Sequence, residues 1–163
     1  MVTDEALSNG FKQAMRRLAT TVALITSGKG DNWAGMAATA VVSVCAEPPT
    51  ILVAVNRSAS LYPTLHAEQR FCVNLLSERH KDLVGIFSGK KKGRERFEDG
   101  AWTAGECGLP ILSDALSALM CKTVSTVDVG THTLFIGEVE SIENHMDIDP
   151  LIWVDGGMAS AAR

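Results

Sequence analysis

This sequence has no long uncharged run, no surplus of basic charge and no closely paired cysteines, and each absence excludes a class of protein. The stretch 33–46 holds 14 uncharged residues, short of the roughly 18 that a spanning helix needs. Lys and Arg together number 15 against 19 Asp and Glu, a net charge of −4, which provides no field for gathering a polyphosphate chain. Neither a membrane nor a nucleic acid is therefore an expected partner. The opening MVTDEALSNG is acidic and polar, unlike the basic and apolar parts of an export signal, so the expected location is the cytoplasm. Cys45, Cys72, Cys107 and Cys121 form no CxxC pair and have no histidine at ligand spacing. No metal site is expected, and the thiols read as reduced. Cys45 and Cys72 stand inside apolar runs, which makes both candidates for small buried hydrophobes.

What is present suits one domain. The 163 residues, 46% hydrophobic and 21% charged, match a single core over residues 1–163 that buries roughly 68–70% of the extended-chain surface. Leu7, Phe11, Met15 and Leu18 line one face of a helix over residues 3–18, with Thr3 as cap and Asp4 and Glu5 in the first turn. Residues 20–28 are rich in β-branched side chains and predict a strand, closed by the turn residues 28–32. Residues 33–49 are unusual, because small side chains at 34–40 lead into Val41, Val42 and Val44 and then stop at Pro48-Pro49. Small side chains let something approach the backbone. Further strands are predicted at 51–56, 71–76, 116–129, 132–144 and from 150 toward 157, with short helices at 58–69 and 78–87 and a polar loop at 88–100. The helices are too few and too irregular for βαβ alternation, so the expected fold is mainly β, an antiparallel barrel with helices packed outside.

Several catalytic signatures are missing. Glycines 28 and 30 begin a dinucleotide fingerprint, but Trp33 stands where the third glycine belongs. No Walker loop and no HExxH occurs, and in residues 85–89 the serine falls one position too late for a nucleophile elbow. His66, His80, His132 and His145 are scattered, and the basic run at 90–96 is either a solvated loop or a phosphate neighbour.

The run AGMAATAVVSVC at 34–45 with Pro48-Pro49, followed by NRSAS at 56–60, resembles the short-chain flavin reductases that serve two-component flavin monooxygenases. FCVNLL at 71–76, Phe87-Ser88-Gly89, Arg96-Phe97, GTHTLFIGEV at 130–139 and PLIW at 150–153 look like further blocks of that family in the family's order. The resemblance covers nearly everything from residue 11 to 157. Its spacing is especially similar to the FMN reductase of pyrimidine degradation and to reductases paired with aromatic hydroxylases. It implies a split β-barrel homodimer that binds FMN, or FAD in its place, accepts hydride from NADH, and releases reduced flavin to a partner oxygenase.

An isoalloxazine ring is flat, apolar on its faces and rimmed by acceptors, so it calls for small side chains beneath it and backbone N–H groups at its edge. Met36, Ala37, Ala38 and Thr39 offer both. By the resemblance, the Thr39 hydroxyl lies near the reactive side of the ring, where it tunes the flavin. Ser43 and Val44 lie along the ribityl chain, and Asn56, Arg57, Ser58 and Ser60 open a helix that receives the phosphate. Arg57 and the basic run at 90–96 are candidates for charge-assisted phosphate pairs. Phe87, Ser88 and Gly89 match a segment that touches flavin, although Phe87 reads equally well as core. His132 matches a histidine on the nicotinamide side. Many relatives carry an acidic residue just before it, where this chain has Thr131. Trp153 aligns with an aromatic position at the family's chain end, and an aromatic near the dimer seam can stack on either cofactor.

Hydride transfer belongs to the cofactors, so the protein's expected task is alignment rather than nucleophilic chemistry. The alternative from another class is a flavin-binding module on the same barrel that does not turn over, and a third reading is an oxidase of a different split-barrel branch. A mean hydropathy of +0.11 leaves apolar surface for a second subunit to cover.

Overall fold

The computed structural model describes residues 3–145 and 147–162. Its first helix, α1 (Asp4–Met15), starts where Thr3 Oγ1 accepts the Ala6 N–H at 3.2 Å, with Asp4 and Glu5 in the first turn. That arrangement satisfies an orphan donor and complements the helix dipole. The apolar stripe is not packed against the rest of the chain: Leu7, Phe11, Met15 and Leu18 are 44–65% exposed.

The chain continues through β1 (Thr20–Thr21), β2 (Ala23–Ser27), β3 (Ala34–Ala38), β4 (Val41–Ala46) and β5 (Pro49–Asn56). Next come α2 (Leu61–Glu68), β6 (Arg70–Leu75), α3 (Lys81–Gly85), β7 (Trp102–Ala104) and β8 (Pro110–Leu112). The long strands β9 (Ser117–Val129) and β10 (His132–Asn144) precede β11 (Leu151–Val154) and β12 (Gly157–Ser160). Among the described residues, one 7-stranded antiparallel sheet has the order β3-β2-β6-β9-β10-β5-β4, and β1-β11-β12 and β7-β8 form small accessory sheets.

Strands β3 and β4 thus occupy opposite edges of the large sheet, yet only Thr39 and Ala40 separate them in the chain. Three Cα steps reach at most about 11 Å, so the sheet must curl until its edges meet at this corner. Ala40 O accepts the Ala54 N–H at 3.2 Å and ties the corner to β5. The two edges form no ladder with each other, which leaves the barrel joined at one corner and open beside it. This is the split β-barrel the resemblance implies.

Alternation along the strands builds two cores. Ile25, Val53, Val55, Phe71, Val73 and Phe135 fill the barrel, with Leu61 and Leu65 of α2 added. Gly137 permits this packing, because a Cβ there would meet Phe71 Cζ at 2.5 Å. Leu24 on the other face of β2, and Val22 just before it, enter a second cluster with Leu83, Val84, Phe87 and Leu151. Between β2, β6 and β8, buried Asn74 accepts from Leu112 N–H and donates to Leu24 O and Thr26 Oγ1 at 2.9–3.1 Å, so its amide is satisfied without water.

Several local expectations need correction. The helix at 78–87 is instead a 3-10 turn, α3 and a π turn over Ile86–Lys90: His80, at φ −93° and ψ 14°, divides the first two, and Gly89, at φ 122°, ends the helical path. The loop at 88–100 contains a 3-10 segment, Gly93–Glu98. Cys72 is buried as expected, but Cys45 is exposed, since β4 is an edge strand whose residues beyond Val41 are all left uncovered.

Candidate functional site

The free edge of β3 organises the site. Behind it, Phe87 is 1% exposed and packs edge-on to Phe97 at 5.2 Å and tilted to Trp102 at 5.4 Å. Gly35 makes room for that ring, since a Cβ there would lie 2.8 Å from Phe87 Cε1. With Phe87 anchored, the π turn and the left-handed Gly89 place Ser88 at the strand's far end. Ser88, Ala37, Ala38, Thr39 and Trp153 line one cavity of about 160 Å³. Thr39 and Trp153 also border a larger, mainly apolar cavity of about 560 Å³ that runs beneath Phe11, Met15 and Leu18. Methyl-sized side chains on one wall and an indole on another make a slot suited to a flat ring.

The other end of β3 is cationic. Arg96 is 9% exposed, and its Nη1 donates to Gly35 O at 2.5 Å and Ser60 Oγ at 3.5 Å while Nε donates to Lys91 O at 2.9 Å. Burial lowers the guanidinium's pKa from its ordinary value, yet an arginine stays charged. No carboxylate pairs with it among the described residues. Ser60 is the residue before α2, and its hydroxyl makes no capping bond. A buried cation with neutral partners, beside a hydroxyl that still has its proton to donate, is set up to receive an anion. Lys91 is otherwise committed, at 2.5 Å from Asp99 and 3.5 Å from Glu98, and these carboxylates raise its pKa.

A third group sits at the turn between β9 and β10. Asn56 Oδ1 accepts from the Ser58 N–H at 2.9 Å and hydroxyl at 2.8 Å, closing a local turn. Arg57 does not turn toward Arg96. Its Nη1 donates to His132 O at 2.7 Å, its Nη2 to Gly130 O, and Asp128 lies 3.6 Å away. His132 pairs in register with Asn56, and its Nδ1 lies 2.9 Å from Thr131 Oγ1. Asn56 lies two residues beyond Ala54, the donor to Ala40, and β5 stands between β10 and β4, so His132 sits a strand farther from the corner that carries Thr39 and is not among the residues lining either cavity.

The chain thus gathers Ala37, Ala38, Thr39, Ser88 and Trp153 at one station, with Met36 and Gly89 beside them on the same segments. Ser60 stands at the cationic station, and Asn56, Arg57 and Ser58 stand with His132. Ser43 and Val44 lie on exposed β4, with Ser43 opposite Ile51, leading away from Ala54 and from the other stations. Phe87 acts from behind as core. Sequence reasoning did not single out Trp33, Phe11 or Met15 as cavity walls. The Arg96-Phe97 pair was the available signal for the cationic end, because Phe97 belongs to the aromatic cluster that buries its neighbour.

Comparison with known proteins gives a consistent picture. A family described as flavin reductase like domain matches residues 15–162. The chain is 41% identical over 145 residues to the FMN reductase (NADH) RutF 2 of Rhizobium rhizogenes, covering 89% of this chain and 84% of that one. It is 43% identical over 143 residues to the FMN reductase (NADH) RutF of Pseudomonas syringae pv. syringae, covering 88% and 80%. Among solved structures, flavin reductase PheA2 superposes with a TM-score of 0.85 at 33% identity, covering 95% and 98%. The styrene monooxygenase flavin reductase of Pseudomonas putida S12 superposes with 0.84 at 28%, covering 94% and 98%.

Proposed function

This chain belongs to the flavin reductase-like family, and from that premise we propose that it is an NADH-dependent flavin reductase acting on FMN, with FAD as the lesser alternative. The observation that carries the reading is buried Arg96, without a carboxylate partner among the described residues, at the opposite end of the β3 edge from the Thr39 slot. A ligand with a flat ring at one end and a phosphate at the other fits that edge. Relatives named FMN reductase (NADH) support the same pair of reactants.

Flavin and nicotinamide together supply the hydride chemistry. The chain's own residues bind and orient. Ala37 and Ala38 leave room against the backbone, and the Thr39 hydroxyl offers a hydrogen bond at the ring's edge. Arg96 and Ser60 hold the phosphate and so set how far the ring enters. Phe11, Met15 and Trp153 give the larger cavity apolar walls on the face where the nicotinamide approaches. His132, braced by Arg57 and Thr131, is the nicotinamide-side group. The slot is open at the surface, as a reductase that releases reduced flavin to a partner monooxygenase requires.

A second copy of this chain completes the assembly. The described chain exposes 9141 Å², against roughly 7,900 Å² for a compact monomer of its mass. The excess carries the stripe of α1 together with Val42, Val44, Val124, Val127 and Val129. Four free thiols support a reducing, cytoplasmic location, and no helix among the described residues is long and apolar enough to cross a membrane.

The test is NADH oxidation by purified protein with FMN, FAD and riboflavin titrated in turn. Saturable turnover that depends on free flavin is expected, with FMN best. Tight flavin binding without NADH oxidation would replace this reading by the non-catalytic module.

A further inference from the structure

The β3 edge has a third station beyond the ring slot and the buried cation. Trp33 immediately precedes β3, its Nε1 donates to Gly108 O at 2.9 Å, and Phe97 packs against it edge-on at 5.2 Å. The indole is therefore held at a set angle. The guanidinium of Arg94 lies over this ring, 4.2 Å from its centroid, and Arg94 Nη1 also donates to Gly30 O. Trp33 and Arg94 line the same cavity, of about 260 Å³, as Ser60 and Arg96.

We propose that Arg94, laid over Trp33, is a size gate that admits a flavin mononucleotide and excludes a flavin dinucleotide. The inference rests on the reading that the flavin phosphate sits at Arg96. Strand residues advance about 3.3 Å each, so Gly35 lies roughly 13 Å from Thr39 and Trp33 roughly 7 Å farther along the same line. A ligand with its ring at Thr39 and its phosphate beside Gly35 and Arg96 sends anything attached beyond that phosphate toward Trp33. An aromatic face is the platform on which a purine stacks. Here that face is already covered by a cation that favours it. Arg94 itself is exposed and is held by a ring face and one carbonyl, so removing it opens the station without emptying the core.

The test compares wild type, Arg94→Ala and the double variant Arg94→Ala/Trp33→Leu. For each, dissociation constants of FMN and FAD are read from quenching of flavin fluorescence, and kcat/KM is measured with each flavin under NADH. In Arg94→Ala the ratio of FAD to FMN is expected to rise about fivefold to tenfold in both affinity and kcat/KM. The double variant is expected to lose that gain, because the purine then has no ring to stack on. An unchanged or lower ratio in an Arg94→Ala protein that still reduces FMN overturns the gate and leaves the reductase reading standing. A double variant that keeps the gain overturns the role of Trp33. A wild-type protein that neither binds nor reduces FMN overturns the reductase reading and the gate with it.

Discussion

Thr131 Oγ1 lies 2.9 Å from Nδ1 of His132, at a turn whose carbonyls are clamped by Arg57. A hydroxyl can donate or accept at Nδ1, whereas a carboxylate in the same place would require a proton there. Thr131 therefore orients the imidazole without dictating its tautomer, which leaves Nε2 able to present either a donor or a lone pair.

His132→Ala is expected to raise the KM for NADH about tenfold while the FMN dissociation constant moves less than about twofold, the scale of one lost hydrogen bond. Thr131→Val should raise KM by a smaller factor, and Thr131→Ser should restore it. Equal loss of flavin and NADH binding in His132→Ala would remove the assignment.

Arg96→Ala is expected to weaken FMN about 10- to 100-fold while leaving riboflavin, which has no phosphate, nearly unaffected, in line with a charge-assisted bond of roughly 1.5–3 kcal/mol. Because Arg96 also holds Gly35 and Lys91 carbonyls, Arg96→Lys serves as a control that keeps the charge and loses the fork. Parallel loss of FMN and riboflavin would place the phosphate elsewhere.

Gly35→Ala forces a methyl to within 2.8 Å of Phe87, so thermal unfolding should show a destabilisation of about 1–3 kcal/mol, a fall of roughly 2–4 °C in Tm per kcal/mol. Combining it with Phe87→Leu should recover part of the loss. Additive losses in the pair would show that the two side chains do not meet.

Cys45 and Cys107 are exposed, and Cys72 and Cys121 are buried. Burial pushes the Cys121 thiol up to about 12 and the Cys72 thiol higher still. The native protein should therefore titrate two thiols with an alkylating reagent at neutral pH, and four after denaturation. Both folded-state pKa values lie above those of the unfolded chain, so their contribution to stability is whole below about pH 8.5 and declines as the pH rises beyond it. A plateau in stability across that alkaline range would contradict the burial.

If a second copy covers α1, light scattering at micromolar concentration should give twice the chain mass, and Phe11→Asp should shift it toward the monomer. Phe11 also walls the larger cavity, so mass, rather than activity, is the deciding readout. A monomeric wild type would count against the dimer.

Residue type and spacing made much of this protein legible. Thr3 and the acidic first turn marked the start of α1, an apolar run and a β-branched run marked β5 and β10, and the small residues at 34–40 marked the strand whose end lines the slot. Those signals are local, carried by caps, periods of two or 3.6, and the absence of a Cβ. The sequence also contained Arg96, Trp33 and Arg94, but nothing local distinguishes a buried arginine from its solvated neighbours in a basic run. Tertiary structure alone decided that Thr39-Ala40 joins opposite sheet edges, that Arg57 serves the His132 turn, and that Ser43 and Val44 lead away from the slot. Each depends on contacts between residues distant in the chain, such as Arg96 with Gly35 and Gly35 with Phe87, and those contacts exist only once the sheet has curled.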